Sequence, residues 1–394
     1  MKITVPTIDF GTSKIVTMVA QSNGERCDIV GSGAVPYSGY LQDGWNNPDE
    51  IRDVIRTAID QAQKTGNCRI HELNVGVPGM FTRVIVKEVH VSLTGPDPHV
   101  TAQDVRACFK LAEESGGDRI IHSAPAWFRV DDGKKTLSPV GIKGRELSAM
   151  IALVTADKYF IDDITYRLRD MDIEPREFYS TVAGEATYAL SQDERDKTAM
   201  LIDIGYLCTD VMVMEGDALI FHKCLDIGGG HISADIAEQL NIPFPFVEEK
   251  IKQTYSFNST NQDETYVIPA TEDEPARTVR RDEVTPIIEA KVEEIAEAIN
   301  KALEEGGVKL GKWSNVYLTG GGLILNKGGK DFLAGKLHRI IREPQRTNNK
   351  MTSHVFSSAV GLTILVVTTQ EEQKAPEGGA KGLFSRAFRW LMGY

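Results

Sequence analysis

The chain has 394 residues, 41% of them apolar and 25% charged, a composition that excludes wholesale disorder, a collagen-like fibre and a coiled-coil rod. At roughly 100–200 residues per domain, the length suits about two to four domains. Lys and Arg number 44 against 56 Asp and Glu, a formal net charge of −12, so the chain lacks the overall electrostatic footprint of a nucleic-acid binder. The five cysteines, Cys27, Cys68, Cys108, Cys208 and Cys224, lie far apart in sequence with no C-x-x-C pair. Such a set reads as reduced thiols rather than a disulfide framework or a zinc site. The eight histidines show no paired-ligand spacing. The start carries no cleavable signal pattern, and no apolar stretch reaches the roughly 20 residues of a membrane span. A soluble chain is expected, apart from any segment lying on a membrane surface.

In chain order, residues 2–20 read as two apolar strands around the turn Asp9-Phe10-Gly11-Thr12-Ser13-Lys14. Glycine, small hydroxyls and a lysine make a turn whose backbone N–H groups can face an anion. Residues 48–63 predict an amphipathic helix with Asn47 as N-cap, Pro48 in its first turn and Gly66 beyond its end. Strands follow at 73–77 and 84–91. From about 82 to 170 the texture becomes a small mixed unit. A helix capped at Thr101 runs to 114, strands lie at 119–123, 127–130 and 147–154, and a further helix covers 156–170. This unit reads as an insertion, because the strand–turn–strand style of the N-terminus then resumes.

Residues 199–214 repeat the first hairpin: Leu201-Ile202-Asp203-Ile204-Gly205, a short turn, then Asp210-Val211-Met212-Val213. A strand-Asp-x-Gly turn occurring twice predicts two similar α/β domains facing each other across a cleft, each presenting its turn to one ligand. Gly228-Gly229-Gly230-His231 lacks the Gly-Lys-Ser/Thr of a Walker loop and reads as a flexible corner. A helix-rich section spans 231–308, with a polar interruption at 256–281 and a long amphipathic helix at 284–305. Residues 316–319 form a strand opening into Gly320-Gly321-Gly322. Residues 353–367 read as a final core helix, and 370–382 as a linker.

The tail is amphipathic when wrapped at about 3.6 residues per turn. Leu383, Phe384, Ala387, Phe388, Trp390, Leu391 and Met392 cover one face, and Ser385, Arg386 and Arg389 the other. Aromatics and leucine opposite arginine are the composition of a helix lying in the headgroup plane of a membrane. So short a helix binds weakly, and firm attachment requires many copies together.

The two Asp-x-Gly turns suit a nucleoside triphosphate. Backbone amides would bind phosphate oxygens, Lys14 would neutralise charge, and Asp9 and Asp203 would hold Mg²⁺ through water. A flat base could pack on the bare backbone of Gly320-Gly321-Gly322. On these residues the chain resembles the superfamily of actin, heat-shock chaperones and sugar kinases, and within it the FtsA family of bacterial cell-division proteins. Gly11, Thr12, Ser13 and Lys14 resemble the first phosphate loop, Gly205 and Thr209 fall in the second, and Gly320, Gly321 and Gly322 in the adenosine motif. Glu249 and Lys252 match positions that contact the nucleoside. Ile121-His122-Ser123-Ala124-Pro125, with Pro139-Val140-Gly141 and Gly144-Arg145, resembles the subdomain that FtsA proteins carry in place of an actin subdomain. The sequence departs from the family at the second loop, where Tyr206-Leu207-Cys208-Thr209 replaces Gly-Gly-Thr after Gly205.

The resemblance implies an α/β chain with the actin-like ATPase fold, two duplicated α/β domains around a nucleotide cleft and an inserted FtsA-type subdomain. Its parts would be a first domain from 1–82, 171–198 and 349–369, with the insertion at 83–170. The second domain would comprise 199–230 and 309–348 with a subdomain at 231–308, and the linker and tail would follow. It further implies ATP and Mg²⁺ as cofactors, at most slow hydrolysis, and self-assembly into filaments. FtsZ would dock on the helix around Lys291 and Glu294. Anionic lipid would be bound through Leu383, Phe384, Arg386, Phe388, Arg389, Trp390 and Leu391, at the cytoplasmic face of the cell membrane at the division site. An alternative is a PilM-like actin-fold scaffold that grips a peptide of a membrane partner in pilus or secretion assembly.

Overall fold

The apolar run that opens the chain forms the strand Ile3–Phe10, which turns back on itself as Lys14–Ser22 with Phe10 opposite Ile15. A third antiparallel strand, Cys27–Pro36, follows. The helix Ile51–Gly66 then returns the chain to Glu72–Val77, parallel to the first strand, and Glu174–Ser180 adds a parallel edge. This five-stranded sheet has the order Glu174–Ser180, Glu72–Val77, Ile3–Phe10, Lys14–Ser22, Cys27–Pro36. The structure, a computed structural model, describes residues 3–373 apart from 25, 42–43, 115, 118, 262, 271–274, 312–313 and 345–352. Most of the expected linker, and the whole amphipathic tail at 383–394, lie outside the described residues.

Ile51, Ile55, Ala58, Ile59 and Ala62 fall on the buried stripe of their helix and pack with Phe10, Ile15, Leu73 and Val75. That helix begins later than its sequence suggests. Glu50 precedes it without a side-chain cap, and the Asn47 amide donates to Glu50 Oε2 at 3.3 Å. Gly66 lies inside the last turn, and Asn67 closes the helix in the left-handed region at φ 46°. The glycine serves close packing instead: a Cβ on Gly31 would meet Gly66 Cα at 2.7 Å.

The helix Ser357–Gln373 packs Leu362, Leu365 and Val366 against Val5 and Ala20, and Val360 and Ile364 against Val16 and Met18. It runs through the first residues of the expected linker. Gly184 and Gly361 let two helices touch by backbone, since a Cβ on Gly184 would stand 2.9 Å from Gly361 carbon.

The inserted unit is a three-stranded antiparallel sheet in the order Thr82–Ser92, Glu146–Ala156, Ile120–Val130. The helix Ala102–Glu114 supplies Val105, Cys108 and Ala112 to its core. At its start, Thr101 and Asp104 cap each other, with Thr101 N–H donating to Asp104 Oδ2 at 2.8 Å. The two strands expected at 119–123 and 127–130 are one strand. Its register shifts between Pro125 and Trp127, because proline offers the ladder no N–H and the strand bulges there.

A second five-stranded sheet has the order Ala218–Leu225, Thr209–Glu215, Ala199–Ile204, Asn315–Thr319, Ile341–Arg342. The chain divides into two compact units: the described residues of 1–200, 212–222 and 345–394, and those of 201–211 and 223–344. In the second unit come the helices Gly229–Gln239 and Arg281–Glu305, the π-helical turn Val247–Lys252 and the helix Gly329–Leu337. The polar interruption contains a small antiparallel hairpin, Thr265–Ile268 with Arg277–Arg280. The long helix starts at Arg281 because the Glu283 carboxylate accepts the Arg280 N–H at 2.7 Å, while the buried Arg281 guanidinium pairs with Glu264 at 3.0 Å. No described helix is long and apolar enough to cross a membrane.

Candidate functional site

In the first unit, the turn after Asp9 closes with the Gly11 N–H donating to the Lys14 carbonyl at 3.1 Å. Two tyrosines that sequence reasoning did not single out tie the turn's carbonyls back. Tyr37 Oη donates to the Gly11 carbonyl at 2.7 Å and Tyr40 Oη to the Phe10 carbonyl at 3.0 Å. Tyr37 N–H also donates to the Ser13 carbonyl at 3.2 Å. Thr12 is buried, Ser13 and Lys14 are half-buried, and the Lys14 ammonium lies 5.4 Å from the Phe356 ring centroid. Burial pushes the Asp9 carboxyl up to about 6, against the opposing pull of a Ser358 hydroxyl that donates at 3.3 Å and of the Lys14 charge. A carboxylate disfavoured by burial is stabilised by any cation brought to it.

In the second unit, three segments meet around Asp203. The Gly205 N–H donates to the Cys208 carbonyl at 2.9 Å and closes the turn. The carbonyls of Ile204, Gly205 and Tyr206 accept from the N–H groups of Gly322 at 2.7 Å, Gly229 at 2.9 Å and Gly230 at 2.7 Å. These contacts require bare backbone. A Cβ on Gly229 would stand 2.4 Å from Gly322 Cα, and one on Gly322 would stand 2.3 Å from the Gly205 oxygen. Gly320, at φ +88°, would place a Cβ 2.0 Å from Asp203 Oδ1. Gly321 is half-buried between them. Gly228-Gly229-Gly230 is therefore no flexible corner: it opens the helix Gly229–Gln239 and packs on the Asp203 turn and the Gly320 turn together.

Tyr206, Leu207 and Cys208 all keep ordinary negative φ, so their replacement of glycine carries no backbone strain. The Lys252 ammonium lies 5.7 Å from the Tyr206 ring centroid and 3.3 Å from Glu248. Burial lowers the Lys252 pKa while Glu248 pulls it back up. Burial, with the Glu248 charge behind it, pushes the Tyr206 phenol up to about 12. Glu249, read with Lys252 as a nucleoside contact, is exposed, and Glu248 pairs with the lysine because a spacing of four residues aligns side chains on this turn. Thr209 is also displaced from its expected role. It is fully buried and its hydroxyl donates to the Ile227 carbonyl at 2.7 Å, so it presents no group to a ligand.

Two further expectations change. Lys291, read as an exposed partner contact, has a side chain only 13% exposed. It lies 2.9 Å from Asp235 and 2.5 Å from Glu294, clamping its helix to Gly229–Gln239, and Glu294 alone of the pair is exposed. The cysteines are scattered in sequence but not all in space, since Cys208 and Cys224 meet beside Asp210.

Residues 200–361 match the family model described as cell division protein FtsA, and residues 79–155 match that of the SHS2 domain inserted in FtsA. Cell division protein FtsA of Pseudomonas aeruginosa is 24% identical over 98% of this chain and 97% of its own length. That of Bacillus subtilis is 26% identical over 76% of this chain and 70% of its own, and that of Escherichia coli 24% over 80% and 77%. Among solved structures, the PilM–PilN type IV pilus biogenesis complex aligns with a TM-score of 0.61 at 17% identity, over 93% of this chain and 99% of that one. MreB5 of Spiroplasma citri bound to ADP aligns at 0.55 and 11% identity, over 95% and 99%. These two likenesses concern the fold, which is actin-like. With the inserted domain and the main FtsA segment present in order, and relatives matching along nearly the full length, the chain belongs to the FtsA family of cell division proteins.

Proposed function

We propose that this protein binds ATP, assembles with itself and tethers FtsZ to the cytoplasmic face of the membrane during division. The observation that supports nucleotide binding best is the meeting of Asp203-Ile204-Gly205, Gly228-Gly229-Gly230 and Gly320-Gly321-Gly322 through bare backbone. Bare backbone lets these turns pack closely enough to hold the Asp203 carboxylate and the half-buried Gly321 where a phosphate or a flat base would approach. Gly11, Thr12, Ser13 and Lys14 would serve the phosphates from the Asp9 turn, with Lys14 as counter-charge. Asp9 and Asp203 would hold Mg²⁺ through water, and the buried, raised Asp9 carboxyl fits a group that gains from a cation. Mg²⁺, when bound with ATP, would neutralise phosphate charge. Lys252 and Tyr206 would border the nucleoside, with Glu248 orienting the lysine. Hydrolysis, at most slow, would act as a switch on assembly, and assembly multiplies the weakly binding tails.

Titrating a fluorescent ATP analogue with Mg²⁺ into the purified protein tests the nucleotide. Saturable binding is expected, and a flat signal at millimolar nucleotide removes ATP from the account. Flotation with anionic vesicles, with and without residues 383–394, tests the tether. Loss of flotation on truncation is expected, and unchanged flotation refutes the tail's role. Recruitment of FtsZ to those vesicles by Glu294→Lys protein tests the partner surface without disturbing the Lys291–Asp235 clamp. Unchanged recruitment moves the surface elsewhere.

A further inference from the structure

Three acidic ligand groups converge at the foot of the Asp203 turn. The sulfurs of Cys208 and Cys224 and a carboxylate oxygen of Asp210 all lie within 4.8 Å of one another. We propose that Cys208, Asp210 and Cys224 form a binding site for one soft divalent cation, with zinc the best fit. Cys208 immediately precedes the strand Thr209–Glu215, Asp210 lies two residues on and so on the same face, and Cys224 belongs to the neighbouring strand Ala218–Leu225. Strand positions hold ligands more rigidly than loop positions do.

Distance and chemistry both favour a cation. Zinc bonds thiolate sulfur at about 2.3 Å, which puts two thiolates on one tetrahedral ion about 3.8 Å apart. Groups already within 4.8 Å reach that arrangement with a contraction of about 1 Å at most. Cys208 is buried while Asp210 and Cys224 are half-buried, so the cluster is shielded yet reachable from solvent. A divalent ion replaces both thiol protons, which leave to solvent, and is ligated by the two sulfurs. The two sulfurs select zinc over magnesium, and three protein ligands leave a fourth position for water. The cation would also brace the turn, because the Cys208 carbonyl accepts the Gly205 N–H. The metal inference stands independently of ATP binding.

The test uses the full chain, purified under reducing conditions and stripped with a chelator, in buffer free of nucleotide and magnesium. Titration with Co²⁺ should give one equivalent bound, with a thiolate-to-cobalt charge-transfer band that Zn²⁺ bleaches on displacement. Cys224→Ser should abolish the band and weaken Zn²⁺ binding at least 100-fold. Asp210→Asn should weaken binding roughly tenfold or more, and Cys68→Ser should change nothing. Circular dichroism checks each variant's fold. Should the buried Cys208→Ser fail to fold, the half-buried Cys224 and Asp210 variants still decide the matter. No saturable uptake, uptake unchanged in Cys224→Ser, or loss of both thiols to a disulfide without metal bound would each overturn the proposal.

Discussion

Replacing Gly320 with alanine should unfold the Asp203 turn at a cost that can be separated into its parts. Gly320 sits at φ +88°, and an added Cβ would lie 2.0 Å from Asp203 Oδ1 and 2.3 Å from the Ile204 oxygen. Left-handed backbone costs a non-glycine residue about 1–2 kcal/mol. Relieving the overlap means shifting packed backbone, which costs roughly a further 1–3 kcal/mol. The sum, about 2–5 kcal/mol, lowers Tm on the order of 10 °C for a cooperative unit of this size. Two controls in the same unit isolate the terms. Gly307, at φ +63° with nothing within 4 Å of its Cβ, carries the conformational term alone, so Gly307→Ala should cost only about 1–2 kcal/mol. Gly335 lies in the helix Gly329–Leu337 with open space around its Cβ, and Gly335→Ala should stabilise by up to about 1 kcal/mol. Urea and thermal unfolding of the nucleotide-free protein measure all three. If Gly320→Ala proves no worse than Gly307→Ala, the backbone-on-backbone account of the site is wrong.

The raised Asp9 carboxyl makes stability depend on pH. Its folded pKa of about 6 exceeds the reference 3.8, so the folded state binds more protons between these values. Stability from this group is present below about pH 4, falls as pH rises through 6, and at pH 7 is lower on the order of 3 kcal/mol. Asp9→Asn should therefore stabilise the magnesium-free protein at pH 7 but not near pH 4, and urea midpoints at both pH values check it. Arg195 is fully buried, pairs with Asp217 at 3.1 Å and donates to the carbonyls of Thr187, Leu190 and Gly216. Arg195→Ala should cost about 3–5 kcal/mol by stranding these partners, and Arg195→Lys should recover little, because the planar fork is lost. Reversing charge at Lys291 should lower stability by roughly 1–2 kcal/mol through the lost Asp235 contact, whereas Glu294→Lys should leave Tm nearly unchanged. Differential scanning fluorimetry separates the two.

Much of this molecule could be read directly from local sequence. The strand–turn–strand runs around Asp9 and Asp203, the amphipathic stripe of Ile51 to Ala62 and the change of texture over the inserted domain are patterns of period and turn chemistry. Each is carried within one segment. Other features depend on segments remote in sequence and appear only when the chain is folded. Gly228-Gly229-Gly230 looks like slack because nothing nearby reveals that Gly205 and Gly322 will press against it. Thr209 looks available until Ile227 takes its hydroxyl, Glu248 rather than Glu249 meets Lys252 on a π-helical turn, and Lys291 looks exposed until Asp235 arrives from another helix. Cys208 and Cys224 look scattered until neighbouring strands set them side by side. Local hydrophobic period and turn residues bias each element within its own segment, whereas side-chain partners are chosen by close packing between elements, where an ångström decides which groups touch.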